Sequence, residues 1–130
     1  MEETKEIIEI VCNAISGRKC LEVYYESKSG KKPRTVEPYI VGIKDGGKGN
    51  IFFAALPLEE LSKNMDDRKL RHYLLKDIDI RRIKVLSETF IEPAVPRKKI
   101  VNTPTIKVIC RFIYPDEDGQ EVMKKWVKKY

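Results

Sequence analysis

The chain has 130 residues, enough for one domain or for one domain with an appendage. Its 42% hydrophobic content supports a single modest core, its 35% charged residues predict a well-solvated surface, and no apolar run approaches the roughly 20 residues of a membrane span. The net charge of +6 is concentrated in residues 31–100, which hold 16 basic and 10 acidic side chains, a balance that permits anion or nucleic-acid contact without establishing it.

The N-terminus, Met1-Glu2-Glu3-Thr4, is acidic and leads into an amphipathic pattern, so it does not have the character of a signal peptide. Ile7, Ile8, Val11, Ala14 and Ile15 recur at three- and four-residue spacing and predict a helix over 3–15, a plug over an open end of a sheet. Glu2, Glu3 and Glu6 favour its first turn, and Ser16-Gly17 supplies the stop, glycine accepting the left-handed conformation that often ends helices. No second helical pattern follows, so a helix-turn-helix DNA reader is not expected. Cys12, Cys20 and Cys110 are odd in number, widely spaced and lack a C-x-x-C pair. That argues against a disulfide framework or structural zinc and favours a reducing cytoplasm.

From Cys20 the period becomes two: Leu21, Val23 and Tyr25 face one way and Glu22, Tyr24 and Glu26 the other. After a turn at Ser27–Lys31, a second strand runs through Arg34 and Val36. Pro38 lacks a ladder donor and is expected at an edge or a bend. Tyr39–Ile43 continues extended, and Asp45–Asn50 is a glycine-rich hairpin loop without the spacing of a phosphate-binding loop. Ile51–Leu56 is a short apolar run typical of a buried strand, ended by Pro57. A polar excursion over 58–69, with a turn of helix near Glu59-Glu60-Leu61, precedes strand candidates at Leu70–Leu75 and Ile80–Leu86. Some five short strands after one helix predict a mainly β fold, a small SH3-like or Sm-like barrel that hides its edges by closure.

Beyond Phe90, Pro93, Pro96 and Pro104 surround Arg97-Lys98-Lys99, a proline-rich basic linker over 93–104. It separates a barrel domain over 1–92 from a strand–helix extension over 105–130. In that extension a strand from Ile106 leads to a helix with a capping box at Asp118-Gly119-Gln120-Glu121, and Val122, Met123, Trp126, Val127 and Tyr130 share one helical face. One strand and one helix cannot fold alone, so the unit is expected to dock on the barrel or on a second copy, giving a homodimer.

With these elements in view, residues from about Ala14 to Phe90 resemble a WYL domain, a small barrel found mostly in bacterial regulators. The resemblance rests on Ala14-Ile15 in the leading helix, Tyr25 closing the first strand, and Arg34-x-Val36-x-Pro38. It continues with Ile51-Phe52-Phe53 at the position of the Trp-Tyr-Leu triplet, followed by Ala54-Ala55, and with Arg71-x-Tyr73-x-Leu75-x-x-Ile78. The departures are Ile51 for the tryptophan, Phe52 for the tyrosine, and Asp77 where an arginine is common. WYL regulators usually carry an upstream helix-turn-helix, for which this chain has no room, and residues 105–130 resemble only the beginning of their C-terminal extension. The resemblance implies a non-enzymatic sensing domain without cofactor. It would bind a nucleotide or single-stranded nucleic acid and act on a regulatory protein partner in a transcription or defence system.

The residues themselves support two interpretations each. Arg34 and Arg71 suit bidentate contact with phosphate; alternatively each caps a sheet edge or pairs with Glu22, Glu26 or Glu37. Tyr25 and Tyr73 suit stacking on a base, or belong to the core. Arg81, Arg82 and Lys84 form a basic edge that follows a phosphate backbone, or a solvated strand face. His72, the single histidine, alternates away from Arg71 and Tyr73 with no carboxylate or cysteine partner in view, against a catalytic or metal role. The alternative to a ligand sensor is a protein-interaction or dimerisation module that binds no small ligand.

Overall fold

The computed structural model of the chain describes residues 2–27, 30–44 and 49–126. Helix α1 (Glu2–Ser16) leads into β1 (Lys19–Ser27), β2 (Gly30–Lys44), β3 (Ile51–Pro57), β4 (Arg71–Leu74) and β5 (Lys84–Thr89). A short helix α2 (Lys98–Val101), strand β6 (Ile106–Arg111) and helix α3 (Gly119–Met123) complete it. The apolar stripe foreseen for α1 is the face it buries: Ile7, Ile8, Val11, Ala14 and Ile15 all lie in the core, with the helix packed on β2, β1 and β6. The stop is made differently from the expectation. The left-handed residue is Arg18, at φ 57°, and not Gly17. A side chain pays about 1 kcal/mol for that conformation, and here it is held by Phe90 N–H donating to the Arg18 carbonyl at 2.9 Å and by the guanidinium lying 5.3 Å over Phe112.

The sheet is antiparallel in the order β4-β3-β2-β1-β5, with β6 also paired to β2. Strand β2 organises it. Its first half pairs with β1, from Ser27 opposite Gly30 to Leu21 opposite Val36. Its second half carries β3 and, from Ile40 opposite Arg111 to Lys44 opposite Ile106, β6. Pro38 falls after the last β1 partner and before the first β6 partner, opposite Ala55 of β3, and the β2–β3 register shifts between Pro38 and Ile40. The bend expected there is therefore real. An isolated bridge between Tyr25 and Ile78 brings the chain after β4 back to β1, yet the sheet does not close. The fold is mainly β with an N-terminal helix; full barrel closure, expected from the count of short strands, is not found.

Several local expectations need correction. Ile80–Arg82 is a 3-10 turn instead of the start of a strand, because the Asp79 carboxylate accepts from the Arg81 N–H at 3.0 Å and caps it; β5 begins at Lys84. The excursion over 58–69 does hold the expected turn of helix, a 3-10 turn at Leu58–Ser62, with a second at Met65–Asp67, fixed by Arg68 donating to the carbonyls of Lys63, Leu61 and Ala94, each at 3.0 Å. Within 93–104, Val95 and Ile100 are buried in the core. Asp118 caps α3 as foreseen, accepting from the Gln120 and Glu121 N–H groups, but Glu121 turns to Lys124 at 3.0 Å instead of reaching back. The glycine-rich hairpin tip at Asp45–Lys48 and the residues beyond Trp126 lie outside the described residues.

The cysteines also depart from expectation: Cys12 of α1 and Cys110 of β6 are disulfide-bonded, with Cα atoms 6.1 Å apart across 98 residues of sequence. Their linear spacing carries no hint of this, because α1 comes to lie against the last strand only once the sheet has formed. Cys20 is free and buried.

Gly42 marks where β6 approaches β2 most closely. A Cβ there would sit 2.5 Å from the Ile106 side chain and 3.1 Å from the Lys107 carbonyl oxygen. Gly42→Ala is expected to push β6 outward and cost about 1–3 kcal/mol of stability, measured by chemical denaturation. An unchanged midpoint would show that β6 gives way without resistance.

Candidate functional site

The strand register decides which of the sequence-predicted residues can meet. Side chains directly opposite each other in an antiparallel pair project from the same face. Arg34 is opposite Val23, and Tyr25 lies two residues further along β1, so both share the face that carries the core residues Val23 and Leu21. On β4, Tyr73 is opposite Phe53 and Arg71 opposite Ala55, again on one face. The Tyr25 and Tyr73 rings join the two sets, edge to face with centroids 4.9 Å apart, and Phe53 stacks under Tyr73 at 5.2 Å.

Tyr73 is the centre of this arrangement. Its ring is 1% exposed, and its hydroxyl is buried without a hydrogen-bond partner. Burial raises its pKa above the usual phenol value, while the positive charges of Arg71 and Arg34 act to lower it and Glu59 acts to raise it. Those three charged groups therefore act on the phenol. Arg34 and Glu59 also line one recess of about 330 Å³, between Pro33-Arg34-Thr35 and Pro57-Leu58-Glu59. Among the described residues neither Arg34 nor Arg71 makes an ion pair within 4 Å, so the pairing with Glu22 or Glu37 considered from sequence is not formed. Glu59 was missed from sequence; it sits in an excursion whose folding depends on Arg68, and no local pattern points it toward Tyr73.

Arg81 and Arg82 are elsewhere. Both contact the Asp79 carboxylate, at 3.3 and 3.7 Å, and Arg82 lies 4.8 Å over the ring of Tyr24, which alternates to the face opposite Tyr25. They form a separate basic patch and do not extend the Arg34–Arg71 group. The Arg81 backbone N–H bond, followed by the Arg81 side-chain bond, holds the Asp79 carboxyl below its ordinary range. His72 faces away from Tyr73 on the exposed side of β4, stacked on Phe52 at 4.5 Å, and partial desolvation, followed by the charge of Lys44, lowers its pKa. No group of three or more metal-binding side chains occurs among the described residues, and no described helix is long and apolar enough to cross a membrane.

What the arrangement offers chemically is two guanidinium groups, an unsatisfied phenol donor and an aromatic edge on one face of a sheet. No protein-family model matches the sequence, and no curated protein matches it. Among solved structures the chain is similar to the Proteasome accessory factor B/C (PafBC) of Arthrobacter aurescens, at a TM-score of 0.51 and 17% identity. The match covers 90% of this chain and 14% of that one, so the chain spans a small part of the protein it resembles. At that identity the likeness is one of fold, and it supports a WYL-like fold for this chain.

Proposed function

We propose that the chain is a non-enzymatic sensing module of the cytoplasm that binds a phosphate-bearing ligand, a nucleotide or single-stranded nucleic acid, at Arg34, Arg71, Tyr73 and Tyr25. In this proposal it passes the binding event to a regulatory protein partner of a transcription or defence system. The observation that carries the reading is the buried Tyr73 hydroxyl, left without a partner and acted on by the charges of Arg71 and Arg34. A buried donor without an acceptor costs about 1–3 kcal/mol, and a phosphate oxygen would satisfy it while the guanidinium groups held the remaining oxygens. Tyr25 is half-buried and edge-on to Tyr73, and its ring is the surface on which a base would stack. The WYL-like fold agrees with a sensing role. The exposed Met123 on α3, a helix with no buried residue, supports a homodimer through the C-terminal strand and helix.

Fluorescence anisotropy with labelled short single-stranded DNA, RNA and mononucleotides tests this. Salt-sensitive binding to at least one probe is expected, weakened roughly tenfold or more by Arg34→Ala or Arg71→Ala. Tyr73→Phe separates site from scaffold: it removes the orphaned hydroxyl, so the variant is expected to be more stable by about 1 kcal/mol yet to bind more weakly. Absence of salt-sensitive binding to every probe would sink the proposal and leave a protein-interaction module as the better account.

A further inference from the structure

We propose that Cys12 and Cys110 are a reversible redox latch, closed by exchange with a low-molecular-weight or protein disulfide and opened by a dithiol, which governs how firmly the C-terminal strand is held. The two cysteines are half-buried and line one wall of a groove of about 330 Å³, together with Ile15, Arg18, Phe112 and Trp126. An incoming thiol therefore has a route to the bond. Cys20 cannot take their place: it is 2% exposed, and burial, followed by the charges of Glu37 and Glu88, pushes its pKa up to about 11.

The bond matters because β6 has a single strand partner, although its Ile109 and the following Phe112 are buried in the core. It pairs only with the second half of β2, and that pairing is interrupted by a register shift between Val41 and Gly42. The α3 helix that follows buries no residue of its own. The disulfide is the covalent tie between the N-terminal helix and this last unit.

Closing proceeds in two exchanges. One cysteine thiolate attacks the external disulfide, forming a mixed disulfide and releasing one thiolate. The second cysteine thiolate then attacks the protein-bound sulfur, releasing the other. The two cysteines lose two electrons and two protons, and the external disulfide leaves as two thiols. Opening is the reverse, with the reductant departing as its own disulfide.

The test uses the whole chain equilibrated with oxidised glutathione or with dithiothreitol. Alkylation after denaturation is expected to count one free thiol in the first state and three in the second. Hydrogen exchange at Val108–Arg111 is expected to quicken tenfold or more on reduction, while Ile51–Pro57 stays unchanged. Cys110→Ser should behave as the reduced protein without any reductant, and Cys20→Ala should keep the full response. Should Cys110→Ser fail to fold, the comparison of oxidised with reduced wild-type protein decides alone. Three free thiols after treatment with oxidised glutathione, or identical exchange at β6 in both states, would overturn the latch.

Discussion

Replacing Tyr39 with phenylalanine is expected to cost about 3 kcal/mol at neutral pH, although the exchange removes one oxygen atom. The Tyr39 ring is fully buried, edge-on to Phe90 at 5.4 Å. Its hydroxyl donates to the Glu37 carboxylate at 2.5 Å and accepts from the Ala94 N–H at 3.0 Å. Phenylalanine therefore strands two groups at once: a carboxylate only 8% exposed and a backbone donor on the segment that returns from β5. The pH dependence carries a definite sign. Burial raises the Glu37 pKa above the ordinary carboxylate range, opposed by the Tyr39 bond and by the Arg68 charge. A carboxyl whose folded pKa is raised gives most stability in acid and loses it as pH climbs from the unfolded value through the folded one. Removing the Tyr39 donor lifts that folded value further, so the deficit of the variant should shrink between pH 7 and about pH 4. Urea denaturation of both proteins at the two pH values measures it; a deficit independent of pH would show that Glu37 does not feel the lost hydroxyl.

Glu117→Ala should be comparably costly, again about 3 kcal/mol, because it leaves a guanidinium uncompensated where water hardly reaches. Arg111 grips Glu117 with two nitrogens, at 3.0 and 2.7 Å, and the side chains are only 9% and 14% exposed. The same carboxylate accepts from the Tyr114 N–H at 2.8 Å, which folds the chain after β6 back on itself. The Arg111 bond, then the Tyr114 N–H, holds the Glu117 pKa below its usual range. For a depressed carboxyl the stabilisation is present above the unfolded pKa and disappears as pH falls through the folded value, the opposite sense to Glu37. Thermal unfolding of the variant near pH 7 is expected roughly 10 °C below wild type, with the gap narrowing in acid as the wild-type pair is protonated. Equal melting temperatures near neutral pH would mean the pair is solvated and adds nothing.

The parts of this molecule that were legible in its sequence are those written in short-range periodicity. The three- and four-residue spacing from Ile7 to Ile15 located α1 and its buried face, and alternation from Leu21 to Tyr25 located β1. Pro38 announced its bend because proline lacks a donor wherever it sits. Tyr25, Arg34, Arg71 and Tyr73 could be named singly, but only the register of β1 with β2 and of β3 with β4 places them on one face. What stayed hidden depends on partners distant in the chain. Asp79 captures the Arg81 N–H and turns an apparent strand into a 3-10 turn, which removes Arg81 and Arg82 from the proposed anion face. Arg68 folds an excursion whose own residues show no periodicity, and Cys12 meets Cys110 across most of the chain.

Because β2 is a single strand shared by three neighbours, the order in which the chain assembles is constrained. The β1–β2 and β2–β3 hairpins join segments adjacent in sequence, so only short loops must close before they pair. Strand β6 comes after the other described strands in sequence and must travel back to the part of β2 that β1 leaves open. Contacts of such long sequence separation form late. The three-stranded meander should thus serve as the template on which the nascent chain builds, with β6 docking after it has formed.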